Sequence, residues 1–218
     1  MINPAHRSAV PPIVLQLLIA NGVLFVLTAF MQLPLDRYFA LWPMGTPEVV
    51  MTSQGLQQVP GWMPWQLLTY GFLHANLGHI FFNMFALWMF GSALEQHWGS
   101  RRFLFFYLVC VIGAGVVQTV VASAAASGGS IYPTVGASGG VFGILLGFGM
   151  LFPNHRIMLL IPPVPMKAKY FVIGYGALTL FFGMTGTQAG VAHFAHLGGM
   201  LFGFLTILYW RHANRPRR

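Results

Sequence analysis

The chain has 218 residues, of which 56% are hydrophobic and only 6% are charged, and its formal net charge is +8. Soluble domains carry about a quarter charged residues, so this composition excludes a soluble globular protein and indicates an integral membrane protein. The length predicts one domain over residues 1–218, with short polar tails at about 1–12 and 211–218 and no separate soluble module. Its single cysteine, Cys110, lies in an apolar run and excludes a disulfide framework.

Six apolar segments are predicted to be membrane-spanning helices, because about 20 helical residues cross a hydrocarbon core of about 30 Å. In chain order they cover residues 13–33, 79–94, 103–126, 138–152, 170–184 and 192–210. The first segment is too long for the core of a cleaved signal peptide, so it is interpreted as a retained span. The predicted fold class is therefore an all-α membrane protein, a bundle of six transmembrane helices.

The connections between these spans carry turn and interface signals. Residues 34–78 form a long connection with several tryptophans, which favour the headgroup region, so part of it is predicted to lie in the membrane interface. Gly128 and Gly129 predict a turn after the third span, and three prolines break the chain after the fourth. These prolines are Pro162, Pro163 and Pro165.

The positions of the cationic residues predict the orientation. With six spans, both tails and the loops at 95–102 and 153–169 share one side and hold ten of the eleven Lys and Arg residues, all but Arg37. The positive-inside rule then places both termini in the cytoplasm. The same asymmetry accounts for the basic balance without nucleic acid, because these cations face anionic lipid.

Four polar residues are predicted to share one depth near the outer face. His79 and Asn83 begin the second span, Ser138 begins the fourth, and His196 lies early in the sixth. His79 and Asn83 are four residues apart and therefore point to one face of their helix. Polar side chains inside a bilayer are costly unless they are paired, so they usually mark function.

Glycine stripes predict that the fourth and sixth spans pack closely. Small residues three or four apart on a helix let a neighbouring backbone approach. The fourth span carries Gly139, Gly143 and Gly147, and the sixth carries His196 with Gly199 and Gly203. If the two stripes meet, the Ser138 hydroxyl comes within reach of the His196 ring.

A serine beside a histidine predicts nucleophilic catalysis, because serine is a poor nucleophile until a neighbouring base takes its proton. The spans hold no acid except Glu95 at the inner end, so a dyad is predicted instead of a triad. The Ser138 backbone N–H, the Asn83 amide and His79 are suitable donors for an oxyanion.

Structural interpretations of these residues remain open at this point. His196 could serve packing through a hydrogen bond to a neighbouring helix, and His79 with Asn83 could stabilise a helix start. A metal site is disfavoured, since the chain has neither an HExxH motif nor a carboxylate near the histidines. Residues 136–140 also match G-x-S-x-G, but that motif requires a strand–turn–helix context that a membrane-spanning segment does not offer.

Three motifs together resemble the rhomboid family of intramembrane serine proteases. They are His79-Ile80-Phe81-Phe82-Asn83, Gly136-Ala137-Ser138-Gly139, and Ala195-His196-Leu197-Gly198-Gly199 with Gly203. The resemblance covers residues 60–205. It implies a multi-pass protein, in a minimal form that by analogy belongs to a bacterial inner membrane. It also implies cleavage of other membrane proteins in or beside a transmembrane segment, without a cofactor.

The resemblance further implies roles for individual residues. Ser138 would be the nucleophile and His196 the general base and acid. His79, Asn83 and the Ser138 amide would form the oxyanion hole, and Gly136 would shape the turn before the serine. Glu95, with Gly99 and Ser100 after it, matches a feature that closes the inner end of the second span.

Two positions depart from the common family pattern. Gln66 follows Trp65 where many members have arginine, which leaves open how the first loop is anchored. Phe142 replaces a tyrosine that stacks on the catalytic histidine, and its ring is expected to keep that stacking.

Two rival functions are a non-catalytic chaperone that binds transmembrane helices and a carrier that uses the histidines. The sequence does not predict an oligomeric state.

Overall fold

The computed structural model of the protein describes residues 10–52, 55–158, 163–185 and 192–214. Most of the two predicted tails, with the predicted breaker Pro162, lies outside the described residues. Each of the six predicted apolar segments falls on a helix. The helices, numbered here in chain order, are α1 (Pro12–Ala29), α2 (Leu35–Phe39), α3 (Gln66–Thr69), α4 (Leu77–Ala86), α5 (Ser92–Trp98), α6 (Ser100–Ser127), α7 (Ser138–Leu151), α8 (Ala168–Thr185) and α9 (His193–Ala213).

Two features modify this helical pattern. A 3₁₀ turn, Tyr70–Phe72, follows α3, and a π-helical turn, Leu87–Gly91, joins α4 to α5 without a break. By length and composition, three helices of the described chain are apolar enough to cross a membrane, namely α1, the continuous helix Leu77–Trp98 and α6. The protein is thus a mostly helical membrane protein, and the count of six spans stays a prediction.

Two antiparallel hairpins lie in the connections and were not predicted. Strands β1 (Val49–Thr52) and β2 (Gly55–Gln58) pair between α2 and α3, and strands β3 (Arg156–Met158) and β4 (Pro165–Lys167) pair between α7 and α8. Strands of three or four residues are too short to produce a clear alternating pattern. In the second hairpin the prolines indicated only a break in the chain, although Pro165 begins strand β4.

Helix α7 lies at the centre of the bundle, and α1 lies at its edge. Ten of the 14 residues of α7 are buried, whereas α1 buries a single stripe, Val14, Leu17, Asn21 and Phe25. Apolar side chains on the other faces of α1, such as Ile19 and Val23, are about half exposed, as expected for a helix that faces lipid.

The predicted packing of the glycine stripes is confirmed. A Cβ atom at Gly199 would collide with the carbonyl oxygen of Gly139, and one at Gly143 would lie 3.0 Å from the Gly199 carbonyl oxygen. A Cβ at Gly203 would lie 3.4 Å from the Gly143 Cα. Gly147 faces Leu94, Trp98 and Phe106 instead of α9. The close approach of α7 and α9 therefore depends on Gly143, Gly199 and Gly203, whereas a Cβ at Gly139 would collide with the Cβ of Ala114 on α6.

Glu95 lies on α5, near the C-terminal end of the continuous helix Leu77–Trp98, and closes that end of the bundle. One carboxyl oxygen accepts hydrogen bonds from the Ile13 N–H at 3.0 Å and the Ser100 hydroxyl at 2.6 Å, and the other accepts from the Val14 N–H at 2.8 Å. The first amides of a helix have no intrahelical acceptor, so the buried Glu95 side chain caps α1 and ties it to the start of α6.

Candidate active site

The segment before Ser138 is held from three sides. Leu41 and Thr134 exchange two backbone hydrogen bonds of 2.9 Å, and the buried Gln118 side chain donates to the Thr134 hydroxyl at 3.0 Å. The Gly136 N–H donates to the Tyr70 carbonyl at 2.9 Å. Ser138, the first residue of α7, therefore follows a loop that its neighbours fix in place.

Gly136 occupies a position that only glycine suits. Its φ angle is +135°, which other residues rarely adopt. A Cβ atom there would lie 2.7 Å from Cε1 and 2.8 Å from Nε2 of His79, and 3.5 Å from the Ser138 hydroxyl. The His79 ring and the Ser138 hydroxyl thus both lie next to the space that a side chain at Gly136 would fill.

Ser138 and His196 form a direct hydrogen bond. The serine Oγ lies 2.8 Å from the histidine Nε2, so the two residues that the sequence analysis paired are in contact across α7 and α9. The His196 ring stacks on Phe142 with a centroid distance of 4.1 Å and an interplanar angle of 7°. Tyr175 of α8 stacks on the other side of Phe142 at 5.0 Å. This stack restrains the orientation of the imidazole.

His79 and Asn83 lie along α4. The His79 N–H is capped by the Asn76 side chain at 2.8 Å, and the His79 Nδ1 accepts from the Ala75 N–H at 3.4 Å. The Asn83 side chain is buried and donates to the His79 carbonyl at 2.8 Å. The structure thus brings the His79 ring to Gly136, whereas one N–H of the Asn83 amide is used within its own helix.

The N-terminus of α7 offers a backbone donor. Within the described chain, the Ser138 N–H has no hydrogen-bond acceptor, because its helix begins at that residue and no side chain caps it. The positive end of the helix dipole adds to this potential. A negative charge that develops beside Ser138 would find a donor there.

Further histidines surround the pair. Among the described residues, both ring nitrogens of the buried His74 and His193 lack hydrogen-bond partners, as does the Nδ1 of His196. His74 packs edge-on against His79 at 5.1 Å. Burial, with a smaller effect of His79, lowers the pKa of His74 to about 3, so that this ring is neutral near pH 7.

The described residues around the site do not indicate a metal centre. In the part of the chain that the structure describes, no group of three or more His, Cys, Asp and Glu residues is arranged to hold a metal ion. The chemistry that the site offers comes from a hydroxyl, an imidazole and the hydrogen-bond donors around them.

The side chain of Gln66 shows how the first loop is held without the arginine that many family members have after Trp65. Its side chain is fully buried, where its oxygen accepts from the Trp42 and Met63 N–H groups at 3.2 Å. Its nitrogen donates to the Gly61 carbonyl at 2.9 Å and approaches the Tyr38 carbonyl at 3.4 Å. An amide that both accepts and donates thus organises the loop, without the charge of an arginine.

Sequence reasoning missed several residues that support the site. Tyr70 is fully buried, its hydroxyl donates to the Val111 carbonyl at 2.9 Å, and its own carbonyl holds Gly136. Gln118 supports the loop before Ser138, and Tyr175 supports the ring stack on Phe142. Gln118 could have been found as an amide inside an apolar span, whereas no local signal distinguishes Tyr70 or Tyr175 from packing residues.

The fold and site define a helical integral membrane protein with a serine–histidine pair at one end of a glycine-packed bundle. The family model for the Rhomboid domain matches residues 61–213. The chain therefore belongs to the rhomboid family, which confirms the resemblance found in its motifs.

The chain is similar to named rhomboid proteins of bacteria and mitochondria. It is 33% identical over 140 residues to the rhomboid protease GluP of Bacillus subtilis, which covers 64% of this chain and 25% of the relative. It is also 33% identical over 147 residues to the mitochondrial rhomboid protein 1 of Saccharomyces cerevisiae, covering 67% and 42% of the two chains. The rhomboid protease GlpG of Yersinia pseudotuberculosis is 24% identical over 215 residues, covering 97% and 66%. The chain thus spans less than half the length of the first two relatives.

Proposed function

We propose that this protein is an intramembrane serine endopeptidase that cleaves membrane proteins in or beside their transmembrane segments. The observation that carries the proposal is the 2.8 Å hydrogen bond between the Ser138 Oγ and the His196 Nε2. Two of the relatives are named rhomboid proteases, which supports the same class of reaction.

The hydrogen bond suits acyl transfer. As the Ser138 Oγ attacks the scissile carbonyl carbon, its proton passes to the His196 Nε2. The carbon–nitrogen bond then breaks, and His196 returns the proton to the leaving amine. Water then attacks the acyl carbon as His196 takes its proton, the ester bond to the Ser138 Oγ breaks, and His196 returns the proton to that oxygen. His196 thus serves as base and acid in turn, without a carboxylate partner.

The carbonyl oxygen of the substrate becomes negative in this reaction and needs donors. The Ser138 N–H has no other acceptor among the described residues, and the His79 ring lies beside Gly136, on the side that the Ser138 hydroxyl also faces. The Asn83 amide has a second N–H beyond the one that binds the His79 carbonyl. We therefore assign the oxyanion hole to these three residues, and the shaping of the turn to Gly136.

Six spans with both termini in the cytoplasm complete the proposal. The cationic loops and tails favour this orientation, and Ser138, His79 and His196 would then lie at the ends of their helices nearer the outer face. Water would reach the site from that face. We place the protein in the plasma membrane of a bacterium, since GluP and GlpG are bacterial proteins.

Co-expression with a panel of tagged single-span membrane proteins tests the function. We expect wild type to produce fragments of at least one panel member and Ser138→Ala to produce none. Ser92→Ala is the matched control, because Ser92 also has a buried hydroxyl without a partner but lies at the start of α5. It should cleave like wild type.

Two outcomes would contradict the proposal. Undiminished cleavage by purified Ser138→Ala would end the assignment of the nucleophile. Stable association of wild type with panel members, without any Ser138-dependent fragment, would favour the non-catalytic chaperone.

A further inference from the structure

The second ring nitrogen of His196, Nδ1, takes no part in the contact with Ser138. The Nε2 binds Ser138, but the Nδ1 is buried without a hydrogen bond among the described residues. To accept a proton at Nε2, a neutral imidazole must carry its own proton at Nδ1. A buried N–H without an acceptor is costly, so an acceptor is expected at this position.

No carboxylate can serve as this acceptor in the way that an aspartate serves a catalytic triad. The sequence contains only three acidic residues, Asp36, Glu48 and Glu95. Asp36 and Glu48 are exposed in the first connection, and Glu95 is bound to the start of α1. The acceptor must be sought among neutral groups.

His193 carries the imidazole that faces His196. It lies three residues earlier on α9, where its ring meets that of His196 edge-on with a centroid distance of 6.2 Å and an interplanar angle of 85°. Both of its nitrogens are buried without partners among the described residues. The ring separation is too large for a direct hydrogen bond and of the size that one water molecule bridges.

We propose that His193 holds a water molecule on the Nδ1 of His196 and is thereby a positioning residue for the general base. The inference rests on the proposed protease function. The His196 Nδ1–H donates to the water oxygen, and the water donates to an unprotonated nitrogen of His193. This arrangement fixes the tautomer that presents the Nε2 lone pair to Ser138. It also stabilises the imidazolium that forms when the Ser138 proton arrives.

A purely structural role for His193 makes a different prediction. Its ring also packs against Phe182 at 5.7 Å, and its Cβ lies close to Gly183. Phenylalanine keeps that packing but has no ring nitrogen, whereas glutamine loses the ring but can both accept and donate. The two substitutions therefore separate packing from hydrogen bonding.

Cleavage kinetics of the purified full chain test the inference. We expect His193→Phe to lower kcat on the order of 10²-fold, near the lower end of what a well-placed general base contributes, with KM unchanged. His193→Gln should recover most of that loss. His155→Phe is the matched control, since His155 packs edge-on against Phe148 at 5.6 Å after α7, and it should keep wild-type kcat. Wild-type kcat in His193→Phe, or equal losses in both His193 variants, would overturn the inference.

A spectroscopic measurement tests the inference even if wild type shows no Ser138-dependent cleavage. In ¹⁵N-histidine spectra, the His196 signals are assigned by their loss in His196→Ala. We expect a protonated Nδ1 whose shift moves in His193→Phe and stays in place in His155→Phe. An unchanged Nδ1 signal in His193→Phe would overturn the role of His193, whereas absent cleavage with a moved signal would overturn only the protease assignment.

Discussion

Two buried polar groups lie at different places in this bundle, and they differ in how fully they are hydrogen-bonded. The carboxyl group of Glu95 accepts three hydrogen bonds from α1 and Ser100. Around Ser138, by contrast, the Nδ1 of His196 and both nitrogens of His74 and His193 lack partners among the described residues. Both oxygens of the Glu95 carboxyl are therefore hydrogen-bonded, whereas the histidines around Ser138 keep ring nitrogens available for hydrogen bonds.

This difference separates structure from chemistry. A buried polar atom without a partner costs about 1–3 kcal/mol, so a cluster of several such atoms is expected to persist where function needs it. Saturated groups have no remaining capacity to bind a substrate or to move a proton. We therefore expect changes at Glu95 to affect stability and changes around Ser138 to affect activity.

His196→Phe should give the largest effect. Phenylalanine keeps the stacking on Phe142 but removes the nitrogen that binds Ser138, so cleavage should fall on the order of 10⁴-fold. The unfolding free energy in micelles should change by less than about 1 kcal/mol. A folded His196→Phe variant that keeps more than a tenth of wild-type kcat would contradict the assignment of activity to the residues around Ser138.

Glu95→Gln should show the opposite pattern. Its amide nitrogen would replace an acceptor facing Ile13 or Val14, so the unfolding free energy should fall by about 2–3 kcal/mol, measured by denaturation in micelles. Cleavage per folded molecule should stay at the wild-type level. Glu48→Gln makes the same change on an exposed glutamate and should leave stability unchanged. A fall in kcat without a loss of stability in Glu95→Gln would contradict this assignment.

Phe142→Leu should give the smallest effect of the three. Leucine retains much of the buried apolar volume but loses the ring that stacks on His196 at 4.1 Å. We expect kcat to fall about 10-fold, because an offset aromatic stack contributes about 0.5–1.5 kcal/mol beyond burial. Phe142→Tyr should keep wild-type kcat in the same assay. Equal activity of Phe142→Leu and wild type would show that the stack does not orient the base.

The sequence allowed the central contact to be predicted, because the necessary signals are local. Glycine spacing on two apolar helices placed Ser138 near His196, and the structure has their side chains 2.8 Å apart. The helical segments were predictable for the same reason, since apolar runs of this length leave few alternatives.

The supports of the site could not be predicted, because they depend on residues far apart in the chain. Thr134 pairs with Leu41, and the carbonyl of Tyr70 holds Gly136, without any spacing that would indicate either contact. Gln66 was noted only as a missing arginine, although its buried amide joins several loop segments. Such contacts become visible only when the tertiary structure is known.

Covalent labelling with a fluorophosphonate tests most directly whether the Ser138 hydroxyl is a reactive nucleophile. The experiment needs no knowledge of the substrate. Folded wild type in micelles should be labelled at Ser138 alone, as located by mass spectrometry of the digested protein. Labelling should be lost in His196→Phe and retained by the folded fraction of Glu95→Gln. An unlabelled Ser138 in folded wild type, or equal labelling rates in wild type and His196→Phe, would contradict the account.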